Sequence, residues 1–453
     1  MATADWVELT ERLLDEHCQQ SCLYIGCSGG LDSMVLLDLV VTWQRRQEHA
    51  PEIHIVHVNH GLSGNAKFWE QCVKAASRRY DVHCHLCSVT VNHQPRHSLE
   101  AAARDARYAA FFDTIPSNST LLLAHHLDDQ VETVLLRLLR GSGPSGLAAM
   151  ATHTERRQGG SVIAIVRPLL GHAKTKLQSY AIQNKLDWVD DESNDDMGFD
   201  RNFLRHKVID TMAAHWHDRW PGMQNAIARS ASLCAQQQTA LTTLLNATLT
   251  AVRSGRYTLV KSAVRAQTPE VSAELLRHWL SDLDMSMPSH VVMQTLRAAL
   301  HSRHDASPVV CWAEHEIRVH GDTVYALPNG YTPGLLASEL VAEEPVHLQT
   351  AVGLIKTLTL HVTAKGAELT LTNGSIQRSV VLPHVEGQKS LQLRNELSQF
   401  SVRFNASQPP RGLHRFFKEW DIAPWHRANI VGVWHNDRLQ ALILDTDIKV
   451  VVA

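Results

Sequence analysis

The sequence predicts an α/β protein: an N-terminal doubly wound parallel sheet, followed by a mainly helical domain and a small α+β C-terminal domain. Three observations carry this. Strand-like and helix-like runs alternate over the first 215 or so residues, which argues parallel strands joined by crossover helices. A small-residue turn, Cys27-Ser28-Gly29-Gly30-Leu31-Asp32-Ser33, stands where the first strand becomes a helix. From about residue 216 helical spacing takes over, and from 345 strand-like runs alternate with turns. At 453 residues the chain is too long for one ordinary core. The expected domains are 1–215, 216–335 and 345–453, with Pro328-Asn329-Gly330 and Pro333-Gly334 marking a linker.

The elements follow in order. Cys22-Leu23-Tyr24-Ile25 is a short buried strand, and Met34, Val35, Leu36, Leu37, Leu39 and Val40 form a helix too apolar for the surface. Residues 53–58 make a second strand, 66–79 a helix, 82–91 a third strand, 98–113 a helix, 121–124 a fourth strand and 129–140 a helix. Gly141-Ser142-Gly143-Pro144 ends that helix. Helical spacing returns from Met223 to about Leu249, and 272–301 holds two helices interrupted at Met287-Pro288. Residues 309–327 are strands turning at Gly321, and the C-terminal part has at least one helix, 411–420.

Composition narrows the function. Eight scattered cysteines do not make a disulfide framework and fit a reducing compartment. No run of about eighteen uncharged apolar residues exists, and the acidic N-terminus (Asp5, Glu8, Glu11, Asp15, Glu16) is unlike a signal peptide. A cytoplasmic protein with no membrane contact is expected. The formal charge of −3 excludes a uniformly basic nucleic-acid coat but leaves room for local basic patches.

The turn from Ser28 to Ser33 suits phosphate. Backbone N–H groups at a helix N-terminus are unpaired and partly positive, and glycines let the main chain wrap an anion. Neither a Gly-Lys-Ser/Thr ending nor G-x-G-x-x-G is present. Ligands of parallel sheets collect beyond the carboxyl ends of the strands, where Asn59-His60-Gly61 and the run 124–147, "AHHLDDQVETVLLRLLRGSGPSGL", fall. Asp129 and Glu132 lie three apart on one helix face, close to the phosphate turn. Two acids there make sense if a cation sits between, either Mg²⁺ or a substrate ammonium. Asp128 either caps the helix or offers a possible metal ligand. Arg104 with Arg107, and Arg201 with Arg205, are candidates for binding phosphates or else solvated stripes. Arg411, His414, Arg415, Lys418 and Arg427, interleaved with Phe416, Phe417, Trp420 and Trp425, suit an RNA surface or an aromatic core beside a solvated face. His57, His60, His125, His126 and His206 cluster near the site without metal-ligand spacing, as hydrogen-bonding side chains.

The pattern Ser-Gly-Gly-x-Asp-Ser resembles the PP-loop ATP pyrophosphatases, which implies an adenine-nucleotide alpha-hydrolase-like fold that cleaves ATP between the α and β phosphates. On that resemblance Ser28, Gly29, Gly30, Leu31 and Ser33 hold pyrophosphate, His60 joins the ATP site and Asp32 holds Mg²⁺. With "SLEAAARDARYAAF" (98–111), "RPLL" (167–170) and "DDESNDDMGFDRNFLRH" (190–206), the chain resembles the tRNA(Ile)-lysidine synthetase family over roughly 22–208, with a weaker echo at 415–442. The resemblance implies that the C2 oxygen of a wobble cytidine attacks the α-phosphate of ATP, and that the amine of free L-lysine then displaces AMP. The implied partners are the isoleucine tRNA with a CAU anticodon, L-lysine, ATP as co-substrate and Mg²⁺, with a homodimer left open. The implied catalytic residues are Asp32, Arg104, Arg107, Arg201 and Arg205; Asp129 and Glu132 take the lysine, and Arg411, Arg415, Lys418 and Arg427 take the tRNA. One departure is Leu62-Ser63 after His60-Gly61, where the family commonly has Leu-Arg.

Rival functions are weaker. A PP-loop tRNA thiolase needs redox cysteines, and Cys84 and Cys87 fall inside a strand whose alternation points them to opposite faces. An amide-transferring synthetase needs an N-terminal catalytic cysteine, and a zinc cytidine deaminase needs H-x-E with P-C-x-x-C; both are absent. A non-catalytic nucleotide-sensing RNA-binding protein would bind ATP without turnover.

Overall fold

Strands and helices alternate through the first 183 residues much as the sequence predicts, and they build a sheet covered on both faces. The computed structural model describes residues 2–452 except 62, 92–98, 159, 191, 193–195, 305, 330–336, 350–354, 364–365, 374–375, 383–389, 396, 398–399 and 445–446. The expected linker at Gly330 and Pro333-Gly334 lies outside the described residues. The chain divides into two compact units, Met1–Leu241 and Thr242–Ala453.

In the first unit the strands are β1 (Cys22–Gly26), β2 (Glu52–Asn59), β3 (His83–Ser88), β4 (Ser119–Leu122), β5 (His153–Gln158) and β6 (Ser161–Val166), in the order β3-β2-β1-β4-β6-β5. Strands β1, β2, β3, β4 and β6 run parallel, whereas β5 pairs antiparallel with β6. The sheet is therefore mixed rather than wholly parallel. The sequence hides this because β5, HTERRQ, is a polar and largely exposed edge strand without apolar alternation.

The helices are α1 (Ala2–His17), α2 (Leu31–Gln44), α3 (Ala66–Tyr80), α4 (Leu99–Thr114), α5 (Leu127–Leu139), α6 (Pro144–Leu147), α7 (Lys174–Gln183), α8 (Asp200–Phe203), α9 (Asp210–His215) and α10 (Met223–Val252). One sheet face carries Trp6, Leu14, Leu36, Leu39, Val73 and Leu177 in a single cluster; the other carries Tyr24, Tyr108, Phe111, Leu121 and Ile163. Helix α2 is apolar all round because the sheet and its neighbours cover it, and nine of its residues are buried. Its carboxylate Asp38 is an anchor: the Tyr80 and Tyr180 hydroxyls donate to it at 2.8 and 2.7 Å, pinning α3 and α7 across α2. Expected strand boundaries move by up to three residues. The third strand stops at Ser88 instead of 91, and the fourth begins at Ser119, two residues early. The strand order reverses between β1 and β4, so the crevice beyond their carboxyl ends is the topological switch point where a ligand fits.

Helix α10 runs across the division between the units. In the second unit β7 (Arg253–Gly255), β8 (Thr258–Val260), β9 (Val309–Trp312), β10 (His315–His320) and β11 (Thr323–Pro328) form one antiparallel sheet, ordered β7-β8-β11-β10-β9, with a turn at Gly321 (φ +54°). Helices α11 (Lys261–Arg265), α12 (Pro269–Asp282) and α13 (His290–Leu300) accompany it, and Thr268 and Ser289 cap the last two. The remaining residues are β-rich: a four-stranded meander over Val346–Leu382, a five-stranded sheet over Ala337–Val450, and the short helix α14 (Leu413–Glu419).

Candidate active site

Hydrogen bonds within the phosphate turn define its shape. Gly29 has φ +87°, and a Cβ there would lie 3.2 Å from Val73 Cγ2, so glycine is required twice over. The Ser33 hydroxyl is its hub: it donates to the Gly30 carbonyl at 3.0 Å and accepts from the Gly29 N–H at 3.2 Å. Ser28 Oγ lies 3.3 Å from Ser33 Oγ and also accepts from the Gly30 N–H at 3.3 Å. His57 bonds the Cys27 carbonyl through Nδ1 at 2.9 Å, and the Val189 N–H donates to the Gly29 carbonyl at 3.0 Å. Gly30 caps α2 with no side-chain bond, which leaves the first-turn N–H groups beside Leu31 and Asp32 free for an anion.

Facing it is an acidic group built on the start of α5. Helix α5 begins at Leu127, two residues before the expected 129, because the capping residue is His126 rather than Asp128: the His126 N–H donates to Asp129 Oδ2 at 2.9 Å. The His126 ring is 2 % exposed and lies 3.5 Å from Asp32, 3.4 Å from Asp128 and 3.6 Å from Asp129. Burial opposes its charge, but those carboxylates outweigh burial and lift its pKa to about 10, so it is a cation at neutral pH. Asp128 accepts from the Lys174 N–H at 2.9 Å and from Gln224 Nε2 at 3.1 Å, clamping α5 to α7 and α10. Burial raises its pKa less than His126 and the Lys174 N–H lower it, to about 2. With both oxygens engaged, Asp128 serves as a clamp, and the metal expectation rests on Asp32.

Glu132 is fully buried, and Arg205 Nε donates to its Oε1 at 2.7 Å; the Arg205 guanidinium also lies 3.8 Å from Asp129. Burial raises the Glu132 pKa, countered in part by Arg205. Asp32, Asp128, Asp129 and Glu132 thus face two cations, His126 and Arg205. The group carries an excess of two negative charges with Glu132 ionised and one with it protonated. Asp32 Oδ1 and Glu132 Oε2 are buried with no hydrogen-bond partner among the described residues. Acceptor-only oxygens left open in a net-negative cleft fit a cation, either Mg²⁺ or an ammonium.

A basic group lies beside it. Arg104 sits over the Tyr108 ring at 5.2 Å, and Arg156 lies over the same ring at 3.8 Å. Arg201 pairs with Glu100 at 2.7 Å. Burial pushes the Arg107 pKa down, and the positive charges of Arg104 and Arg201 add to it. The pair Arg201 and Arg205 does not act as one face. Arg201 pairs with Glu100 on α4 and Arg205 with Glu132 on α5, and the helix changes from α to π over Leu204–Ile209. Burial, Arg107 and His57 hold His60 neutral with a pKa of about 4; burial, against Asp129, holds His125 at about 3. Both leave a buried Nδ1 without a partner among the described residues.

Several members of this site escape a reading of the sequence. The sequence marks His126 only as a hydrogen-bonding histidine, although it stands among three carboxylates as their shared cation. Arg167, 5 % exposed, donates to the Ala151 carbonyl at 2.8 Å and to Thr154 Oγ1 at 3.3 Å; a lone arginine after an apolar strand, in "RPLL", is its signal. Gln224 on α10 gives none.

The C-terminal candidates divide. Phe416, Phe417 and Trp425 are buried core residues, so the aromatics do not form an outward stacking surface. Arg411 is held by both oxygens of Glu419 at 2.7 and 2.9 Å, and Arg427 Nε donates to the Ile422 carbonyl at 3.0 Å. Arg415 and Lys418 are exposed on α14. Cys84 and Cys87 belong to opposite faces of the first sheet, and Cys87 Sγ lies 3.2 Å from Thr114 Oγ1.

A glycine-rich anion turn at the switch point of a parallel sheet, without a Walker lysine and with acids opposite, defines an ATP-binding PP-loop protein. The PP-loop domain family matches residues 5–212, and the TilS substrate binding domain family matches 259–325. The chain is 32 % identical over 420 residues to the tRNA(Ile)-lysidine synthase of Photobacterium profundum, covering 92 % of this chain and 90 % of the relative. It is 35 % identical over 438 residues to that of Serratia proteamaculans (strain 568), covering 93 % and 90 %. With the enzyme of Pectobacterium atrosepticum it shares 38 % over 322 residues, 71 % of each chain. The chain belongs to the tRNA(Ile)-lysidine synthase family.

Proposed function

We propose that this chain is an ATP-dependent ligase that joins L-lysine to C2 of the wobble cytidine in the CAU-anticodon isoleucine tRNA, releasing AMP and pyrophosphate, in the cytoplasm. The observation that carries the reading, beyond family membership, is the two-signed crevice: a preformed phosphate turn after β1 faces a net-negative group after β4. Ser28, Gly29, Gly30, Leu31 and Ser33 cradle the departing pyrophosphate through the free N–H groups at the start of α2 and the serine hydroxyls, the glycines letting the main chain come close, with His60 beside the nucleotide. Arg104, Arg107 and Arg201 offset charge that builds on the α-phosphate as the cytosine oxygen attacks. Asp32 is the residue that would hold Mg²⁺, which supplies charge neutralisation at the phosphates when bound. Asp129 and Glu132 attract the lysine ammonium, and Arg205 holds Glu132 in place. Arg415 and Lys418 contact the tRNA backbone; Arg411 and Arg427 shape the surface that presents them.

The order of steps gives the test. Incubated with ATP and the CAU tRNA but no lysine, the purified protein releases pyrophosphate and leaves AMP on the tRNA. Pyrophosphate release only when lysine is present and tRNA absent would point to activation of the amino acid and overturn the reading. Sedimentation of the protein with and without tRNA tests the homodimer.

A further inference from the structure

The opposite end of the first sheet carries a second cluster of ligand side chains. Cys22, Glu52 and His83 are the first residues of β1, β2 and β3, and the register pairs Cys22 with Glu52 and His54 with His83. Because alternate residues share a sheet face, Cys22, Glu52, His54, His83 and His85 all project from the same side. Ligand atoms of Cys22, Glu52 and His54 lie within 4.8 Å of one another. Glu52 Oε1 is 3.3 Å from His54 Nε2 and 3.1 Å from His83 Nε2. Those separations match a tetrahedral edge of roughly 3.3 Å for arms of ~2.0–2.1 Å around zinc.

We propose that Cys22, Glu52 and His54, with His83 as the fourth donor, form a structural binding site for a thiophilic divalent cation of the Zn²⁺ type, separate from the nucleotide crevice. The remaining contacts already suit this. His54 Nδ1 is 2.9 Å from His85 Nε2. With Nδ1–H donating to His85, His54 keeps Nε2 as the free acceptor on the side of Glu52, the orienting contact that ligating histidines use. Tyr24 lies against the His54 ring at 5.0 Å and walls the site from the sheet interior. His54 is stacked between His83 at 5.0 Å and His85 at 5.2 Å, which holds its ring in one orientation at the site. One thiolate, one carboxylate and two imidazoles select zinc over Mg²⁺ or Ca²⁺ by softness. On binding, the Cys22 thiol proton is released to solvent and the sulfur electron pair forms the bond to the metal. The cation clasps β1 to β2 and β3 at their origin, on the far side of β1 from the phosphate turn.

The test uses the reduced full-length protein titrated with Co²⁺, then Zn²⁺ in competition. The expected result is one Co²⁺ per chain, with a thiolate-to-cobalt charge-transfer band and tetrahedral visible bands that Zn²⁺ removes. Cys22→Ser abolishes the charge-transfer band and lowers affinity by about 10- to 100-fold. His83→Asn, a change at a side chain 69 % exposed that cannot unfold the sheet, also lowers affinity about tenfold or more. Exposed Cys311→Ser changes nothing. Zinc raises the melting temperature of the wild type but not of Cys22→Ser. Absence of stoichiometric Co²⁺ binding, or the same charge-transfer band in Cys22→Ser, overturns the proposal.

Discussion

Asp32 has one oxygen facing His126 and one buried without a partner among the described residues, so removing its carboxylate disturbs chemistry more than packing. Asp32→Ala is expected to lose pyrophosphate release from ATP and tRNA while melting within a few degrees of the wild type; near-normal release would reject the Mg²⁺ role. Glu132→Gln keeps the shape and the acceptor for Arg205 while removing one charge. Lysine affinity should fall by ~1–3 kcal/mol, the loss of a charge-assisted contact, with tRNA adenylation persisting. If adenylation collapses while lysine affinity holds, the carboxylates serve a metal instead. His126 sets a pH signature. Its folded pKa of about 10 exceeds the ordinary 6.5, so the stability it contributes is full below about 6.5 and is lost as pH rises towards 10. Asp128, at about 2 against 3.8, contributes above about 3.8 and loses that contribution as pH falls towards 2. Urea midpoints measured from pH 7 to 10 should decline in the wild type and lose most of that slope in His126→Asn. The acids of this site are legible in "AHHLDDQVET" because carboxylates beside an anion turn demand a cation. The cation the fold itself supplies, His126, is not, since only the three-dimensional approach of Asp32 reveals it.

Among elements, the β1–α2 turn is the least forgiving. Gly29→Ala places a side chain at φ +87° and against Val73, so a loss of roughly 1–3 kcal/mol and weakened ATP binding are expected, checked by denaturation and equilibrium dialysis. Parallel strands and their helices are readable because buried strands and apolar helices write long unmixed runs. The edge strand β5 is not, because a polar edge has no buried face to mark it. Helix α1 also goes unassigned in the sequence: its acids draw attention to targeting, although Trp6, Thr10 and Leu14 recur every fourth residue and are all buried. The π segment at Leu204–Ile209, which carries Arg205, leaves no sequence mark. The ligand cluster of Cys22, Glu52, His54 and His83 is equally hidden, because its donors come from three strands and only their lateral register unites them.

At the scale of the whole molecule, the chain divides into two compact units, and within the second Trp425 packs on Tyr325 with ring centroids 5.5 Å apart. Cutting the chain at 345 would therefore strip a core contact as well as a surface. The cleaner test of RNA capture is Arg415→Glu with Lys418→Glu, both exposed on α14. Binding of the tRNA should weaken, and the slope of log affinity against log salt should flatten by about 2, with stability unchanged. An unaltered slope would leave those cations as plain surface. The central claim meets its most direct test in one reaction: purified protein, labelled L-lysine, ATP and an isoleucine tRNA with a CAU anticodon. One lysine should be joined to the wobble cytidine for each AMP and pyrophosphate released, with no transfer when any component is omitted. ATP consumed or bound without lysine entering the tRNA would contradict it.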